Sequence, residues 1–293
     1  MPDFLRVKRS GKSPVSLLYS AFDVIAYEAL YLLSPARRNL FFNSGYLPID
    51  ESFIDAPEFQ AEAHSAMMYH FVARTLVQDI MPSPSKILDV GCGQGGGVRY
   101  LAQLYENASI TGTDRSAGAV LRARRHLRGQ ANVQIRKTPV HGSGMIGTGY
   151  DLIVGIGTPT YVGLSRFVAE SQRHLAPGGV VSIMGGYRHG DHTCIRDELA
   201  NASANAGMIL HDYRDILPNT FAALTADIPR RERALAQVPA PFRGLARRWT
   251  DMPGSREYLE YQNGLRADFA AVLHFPELSS ASPSGGDRKA SAQ

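Results

Sequence analysis

The stretch Lys86–Leu101, KILDVGCGQGGGVRYL, decides the fold. Its apolar start, Ile87-Leu88, stops on an acid, Asp89. Glycines then fall at Gly91, Gly93, Gly95, Gly96 and Gly97, and a helical pattern opens at Val98. Strand, glycine turn and helix in that order make a nucleotide-binding opening, because residues without Cβ let backbone approach a ligand closely. Gly91-x-Gly93-x-x-Gly96 matches the dinucleotide fingerprint, a weak signal when it stands alone. The next apolar run also ends on an acid, Asp114, at the spacing where a carboxylate holds ribose hydroxyls. A dehydrogenase turn receives pyrophosphate on the positive end of its helix. Asp89, directly before the turn, suits an ammonium better.

Outward from this stretch, strands and helices alternate. Val133–Arg136 reads as a third strand and Tyr150–Ile156 as a fourth. A helix follows through Phe167 to Leu175, then a turn at Ala176–Gly179 and a fifth strand at Val180–Met184. Met208–Ile216 and Leu265–Phe275 supply a sixth and a seventh. Alternation of this kind builds a doubly wound, mostly parallel sheet. Ahead of it, Glu58–Ile80 reads as one long helix. Val15–Leu33 reads as an apolar helix with a narrow polar stripe of Ser16, Ser20, Asp23, Tyr27 and Ser34. Such a helix needs a cover: its own domain, a second subunit or a bilayer surface. It has more apolar surface than one stripe can bury, so a homo-oligomer is expected. The basic start before it has the outline of a signal peptide, but Asp23 and Glu28 interrupt the run. Residues 279–293, rich in Ser, Ala and Gly, read as a disordered tail.

Composition removes several function classes. The 293 residues carry 31 basic and 27 acidic side chains, too small an excess to require a nucleic-acid partner. The basic run Arg122–Arg128 has no aromatics interleaved with it and reads as a solvated helix face. Two cysteines, Cys92 and Cys194, give no disulfide framework, which fits a reducing cytoplasm. Stable membrane insertion is not expected.

Asp89-x-Gly91-x-Gly93-x-Gly95 with Asp114 resembles motif I and the ribose acid of class I S-adenosylmethionine (SAM)-dependent methyltransferases. Pro177-Gly-Gly179 resembles a further element of that family. The likeness covers roughly residues 39 to 276. Gly95–Gly97, Ser165–Phe167 and Tyr258…Gly264 also look like phthiotriol/phenolphthiotriol dimycocerosate methyltransferases. The resemblance implies a Rossmann-like seven-stranded sheet over residues 81–278 with an N-terminal helical lid over 1–80. It also implies SAM as cofactor and a hydrophobic small molecule, polyketide, terpenoid or lipid-like, as methyl acceptor. Cofactor contacts are expected from Tyr46, Asp89, Gly91, Cys92, Gly93, Gly95, Asp114, Arg115, Thr138 and Ile156. Tyr46, in Asn43-Ser-Gly-Tyr46, matches a lid tyrosine whose hydroxyl meets the SAM carboxylate. Thr138-Pro139 stands where the family carries an acidic pair against adenine, which leaves that contact to backbone.

The family's general base, a histidine just after strand four, is also missing: Pro159 stands there between Thr158 and Thr160. Replacements lie in Tyr187-Arg-His189-Gly-Asp191-His192, where Asp191 is placed to set the tautomer of a catalytic His189 or His192. His141 is a weaker candidate. No resident metal is assigned. A carbon acceptor would need no base and would draw on aromatic rings such as Phe41, Phe42, Tyr46 and Phe53. The missing histidine also leaves open a cyclase that keeps SAM without methyl transfer, and a SAM-responsive module without catalysis.

Overall fold

The computed structural model describes residues 40–41, 43–48, 61–138, 143–238 and 240–276. The expected Val15–Leu33 helix, the 279–293 tail, Phe42, Phe53, Pro139 and His141 lie outside these residues. Seven runs pair into one sheet: β1 (Lys86–Val90), β2 (Ser109–Asp114), β3 (Val133–Lys137), β4 (Tyr150–Ile156), β5 (Leu175–Arg188), β6 (Ile209–Asp215) and β7 (Arg266–His274). Their order is β3-β2-β1-β4-β5-β7-β6. β1 to β5 pair in parallel, whereas β7 runs antiparallel to both β5 and β6. The architecture is the mixed, mostly parallel α/β sheet expected from the alternation of elements.

The central strands are buried on both faces, so their sequences are apolar almost without interruption. Alternate residues go to opposite sides. Ile87, Leu152, Val154, Val180, Met184, Ala270 and Val272 face one core with Phe71, Val72 and Leu101. Leu88, Val90, Ile153, Val181, Ile183, Phe269 and Leu273 face the other with Leu164, Phe167 and Leu199. The helices that close these layers are α1 (Ala63–His70), α2 (Gly96–Leu104), α3 (Ala117–His126), α4 (Thr158–Val162), α5 (Leu164–His174) and α6 (His192–Asn205). Four more, α7 (Leu217–Ala226), α8 (Ile228–Ala236), α9 (Ala240–Trp249) and α10 (Arg256–Gln262), lie between β6 and β7.

Several elements differ from the sequence reading. The helix before β1 is α1 followed by one π-helical stretch, Phe71–Thr75, and it gives way to turns before Ile80. The helix after β4 is broken in two at Gly163, which takes φ 92° between α4 and α5. The fifth strand is far longer than Val180–Met184. The Ala176–Gly179 turn is absorbed as an irregularity against β4, where pairing jumps from Tyr150–Leu175 to Leu152–Val180. At its far end β5 continues through Arg188 because Gly186, Tyr187 and Arg188 have strand partners in Asp268, Ala267 and Arg266.

No helix among the described residues is long and apolar enough to cross a membrane.

Candidate cofactor and acceptor site

The glycine turn leaves β1 and enters α2 with positive φ at Gly91 (84°), Gly93 (54°) and Gly95 (89°), a region costly for any residue with a Cβ. It is pinned under β2, since the Gly91 and Cys92 amides both donate to the Thr113 carbonyl. Asp114 fixes its rim: Oδ2 accepts from the Gly93 amide at 3.0 Å and Oδ1 from the Ser116 amide at 2.8 Å. Thr158, at the start of α4, closes over the turn. A Cβ on Gly91 would stand 1.9 Å from its Oγ1.

The last two glycines of the run serve a different purpose. A Cβ on Gly96 would meet the Leu40 carbonyl oxygen at 2.6 Å, and the Gly96 amide donates to that oxygen. A Cβ on Gly97 would strike the Tyr69 ring at 1.9 Å. These two positions are cleared for the chain's own 40–48 segment and for α1, not for a ligand.

Asp89 ends β1 fully buried. Tyr69 of α1 donates its hydroxyl to Oδ2 at 3.2 Å. Burial raises the Asp89 pKa from 3.8 to about 7; the Tyr69 hydrogen bond opposes the rise and the Asp114 charge adds to it. A carboxylate placed under this strain, with a second acid as its charged neighbour, fits a cationic group. The ammonium and sulfonium of SAM supply one. The residues present therefore suit the cofactor.

The other expected contacts are distributed as follows. Tyr46 is buried and stacks on Phe71, with ring centroids 4.0 Å apart at 9°. Cys92 turns its side chain into the core, its Sγ 3.0 Å from where a Gly112 Cβ would be, so only its backbone faces the turn. Arg115 is exposed just beyond Asp114. Thr138 is buried and donates its amide to the Asp114 carbonyl. Ile156 closes β4 on the Asp89 face.

The loop after β5 does not form the histidine–acid pair read from its spacing. Asp191 is the N-cap of α6 and accepts from the Thr193 amide at 2.7 Å. His192 instead binds the Tyr213 hydroxyl through Nδ1 at 2.8 Å and approaches Asp215 through Nε2 at 3.3 Å. Tyr213 stacks on Phe269, which belongs to the sheet face opposite Asp89. His189, at φ 50°, stays at the carboxyl edge of β5, exposed, with Nε2 4.0 Å from Glu260. No cluster of three metal-ligating side chains is present among the described residues.

Residues that the spacing did not reveal complete the edge. Tyr69 is one; the extra glycine at Gly97 was its only trace. Asp268 is another, fully buried on β7 and receiving the Thr220 hydroxyl at 2.8 Å. An acid inside the run Arg266-Ala-Asp-Phe-Ala-Ala-Val was visible, but its partner on α7 was not. The 40–48 segment roofs this side. The Ser44 hydroxyl meets the Tyr261 hydroxyl of α10 at 3.3 Å, and Arg231 of α8 donates to the Ser44 carbonyl. The helices between β6 and β7 therefore meet the 40–48 segment on this side.

A parallel sheet with a reversed seventh strand, an acid–glycine turn after β1 and a second acid after β2 define the Rossmann-like fold of class I SAM-dependent methyltransferases. Residues 87–179 match the family model described as a methyltransferase domain. A trans-aconitate 2-methyltransferase of Delftia acidovorans is 28% identical over 66% of this chain and 84% of its own length. A phthiotriol/phenolphthiotriol dimycocerosates methyltransferase of Mycobacterium leprae is 35% identical, over 38% of this chain and 40% of the relative. Among solved structures, geranyl diphosphate C-methyltransferase from Streptomyces coelicolor A3(2), in complex with S-adenosyl-L-homocysteine, superposes with TM-score 0.59 at 17% identity. That match covers 90% of this chain and 99% of the other. The [4+2]-cyclase SpnF shares the fold at TM-score 0.64 and 17% identity, over 88% of this chain and 97% of its own.

Proposed function

We propose that this protein transfers a methyl group from SAM to an oxygen or carbon of a hydrophobic small molecule of lipid or specialised metabolism. The observation that carries this reading is the single face at the carboxyl ends of β1, β4 and β5 and the amino end of β7. It has Asp89 at one end and Asp268 at the other, under the stacked Tyr46–Phe71 pair and the 40–48 segment. Ligands of open α/β sheets bind outside the carboxyl ends of the strands. Relatives named for acting on trans-aconitate and on phthiotriol lipids support a small acceptor. When bound, SAM supplies an activated methyl on a sulfonium; the chain's own residues hold it, exclude water and align the acceptor. For a hydroxyl acceptor, His189 is the candidate to take the proton, being the one residue of the histidine loop that combines exposure with a place at this edge.

The test is product mass. Incubation with methyl-labelled SAM and a fractionated small-molecule extract should give an acceptor heavier by one methyl. An isomer of unchanged mass would mark a cyclase instead, and absence of any product alongside tight SAM binding would mark a non-catalytic module. Gly93→Val and Asp114→Ala should each weaken SAM by about 1.5–3 kcal/mol, tenfold or more, through lost backbone approach and lost charge-assisted hydrogen bonds. Unchanged affinity in both variants would remove the SAM assignment.

A further inference from the structure

At the start of β7, Arg266 holds a guanidinium whose outer edge bonds no described residue. Its planar group stacks on the Tyr261 ring, 4.3 Å from the centroid. Its Nε lies 3.5 Å from Asp268 Oδ1, and Asp268 is anchored in turn by the Thr220 hydroxyl. Across the strand pair is Gly186, where a Cβ would sit 2.4 Å from Asp268 Oδ1 and 3.3 Å from Arg266 Nη2. The glycine is therefore what admits the ion pair to the sheet face. Nε is sealed from solvent; Nη1 and Nη2 are not, and neither makes a hydrogen bond to a described residue.

The neighbouring guanidiniums are committed elsewhere. Arg188 pairs with Glu260, and Arg256 reaches the same carboxylate. Arg231 is taken by Asp227, the Thr250 carbonyl and the Ser44 carbonyl. Burial works against the Arg266 charge, but Tyr261, Asp268 and Asp251 outweigh it and raise its pKa. A guanidinium oriented by stacking and by a neighbouring acid, with two N–H groups that bond no described residue, is the arrangement that receives a carboxylate or phosphate bidentately.

Its position fixes what such a group would belong to. Arg266, Asp268 and Ala270 share one side of β7, and Ala270 lies in the core that also holds Ile87 and Val154. Arg266 is thus on the Asp89 face, three strand spacings across the sheet and six residues beyond the level of Asp89, whose register runs through Val154 and Ser182 to Val272. It lies across the strand pair from Arg188, next to His189, at the edge of that apolar face.

Resting on the methyltransferase reading above, we propose that Arg266, held by Asp268 and Tyr261, anchors the acceptor by an anionic head group, a carboxylate or phosphate. The head group is an anchor there and the methylated atom is a different one. The acceptor class is an amphiphilic anion.

Full-length protein saturated with S-adenosylhomocysteine is titrated with octanoate, octyl phosphate and octanol in a calorimeter. Wild type should bind at least one of the two anions, and comparison of the two identifies carboxylate or phosphate. Arg266→Gln should weaken that anion tenfold or more and leave octanol unchanged, with Arg266→Lys intermediate because it keeps charge without the fork. Wild type binding neither anion, or equal anion binding by wild type and Arg266→Gln, overturns the proposal, as does an equal loss for octanol. S-adenosylhomocysteine affinity separates the two failures. Its retention in Arg266→Gln certifies an intact fold, and its absence in wild type would sink the methyltransferase reading itself.

Discussion

The hydroxyl of Tyr69 donates to the carboxylate of Asp89 at 3.2 Å, and both side chains are buried. α1 thereby reaches across the glycine turn and touches the acid that the sequence assigns to the cofactor. Because burial raises Asp89 to about 7, the native protein holds a proton that the unfolded chain releases near 3.8. The stability linked to it is fully present below about pH 4 and is lost as pH rises through about 7.

A bound ammonium favours the ionised form, so SAM binding near pH 7 should release a proton, and affinity should rise as pH climbs through that range. Asp89→Asn should bind SAM tenfold or more weakly and lose this pH dependence. Its ligand-free melting temperature should exceed that of wild type above pH 7. Calorimetry in two buffers of different ionisation enthalpy measures the proton directly. Zero release by wild type would refute the account.

Gly97 exists for Tyr69. Gly97→Ala places a methyl where the ring stands, 1.9 Å from Cζ. It should destabilise the protein by about 1–3 kcal/mol, the range for an overpacked core. In a Tyr69→Ala background the same change should cost much less, because its obstacle is gone. Urea midpoints of the four proteins in this cycle give the coupling. An unchanged cost in both backgrounds would mean that the ring is not what the glycine accommodates.

The sheet was legible because its strands are apolar runs bounded by acids and glycines: Ile87 to Asp89, Ile110 to Asp114, Leu152 to Ile156. What escaped was whatever depends on pairing across the chain. Tyr187 and Arg188 read as loop because they are polar; they are strand because Ala267 and Arg266 lie beside them. Ala176–Gly179 read as a stop because a Pro-Gly-Gly run breaks regular ladders, yet the sheet absorbs it as a bulge. The acid beside the histidines was visible at Asp191, but its side chain caps α6, and the acid that faces His192 is Asp215 on β6. The helices α7 to α10 were not read at all. They are short, α8 and α9 are rich in arginine, and α7, α8 and α9 each carry a proline at their second residue that reads equally as a turn.

His192 faces away from the cofactor side and is engaged by Tyr213 and Asp215. His192→Ala should therefore change turnover by less than about twofold and cost roughly 1 kcal/mol of stability through the lost hydrogen bond. His189→Ala, by contrast, should slow a hydroxyl acceptor by about 10²–10⁴ with SAM affinity unchanged, if the imidazole is the base. Steady-state rates on one acceptor, beside melting curves, distinguish the two. A large rate loss in His192→Ala would place the chemistry on the other face of the sheet.

The Leu40–Phe41 end of the strap is tied down by Glu62. Glu62 accepts from the Leu40 amide at 2.8 Å and the Phe41 amide at 3.3 Å, with Arg230 3.8 Å away. Burial raises its pKa in spite of those two donors and the guanidinium. It is therefore a group whose ionisation the fold resists, and whose removal leaves two strap amides without partners. Leu40 in turn receives the Gly96 amide at the mouth of the glycine turn. Glu62→Ala should free the strap, costing about 1–3 kcal/mol for the orphaned donors. It should speed exchange of the Gly96 amide hydrogen well beyond that of the β1 amides. Glu62→Gln, which still accepts, should recover most of the protection. Amide exchange followed by mass spectrometry on the peptide containing Gly96 reads this out. Protection at Gly96 unchanged in Glu62→Ala would show that the strap is held by other contacts.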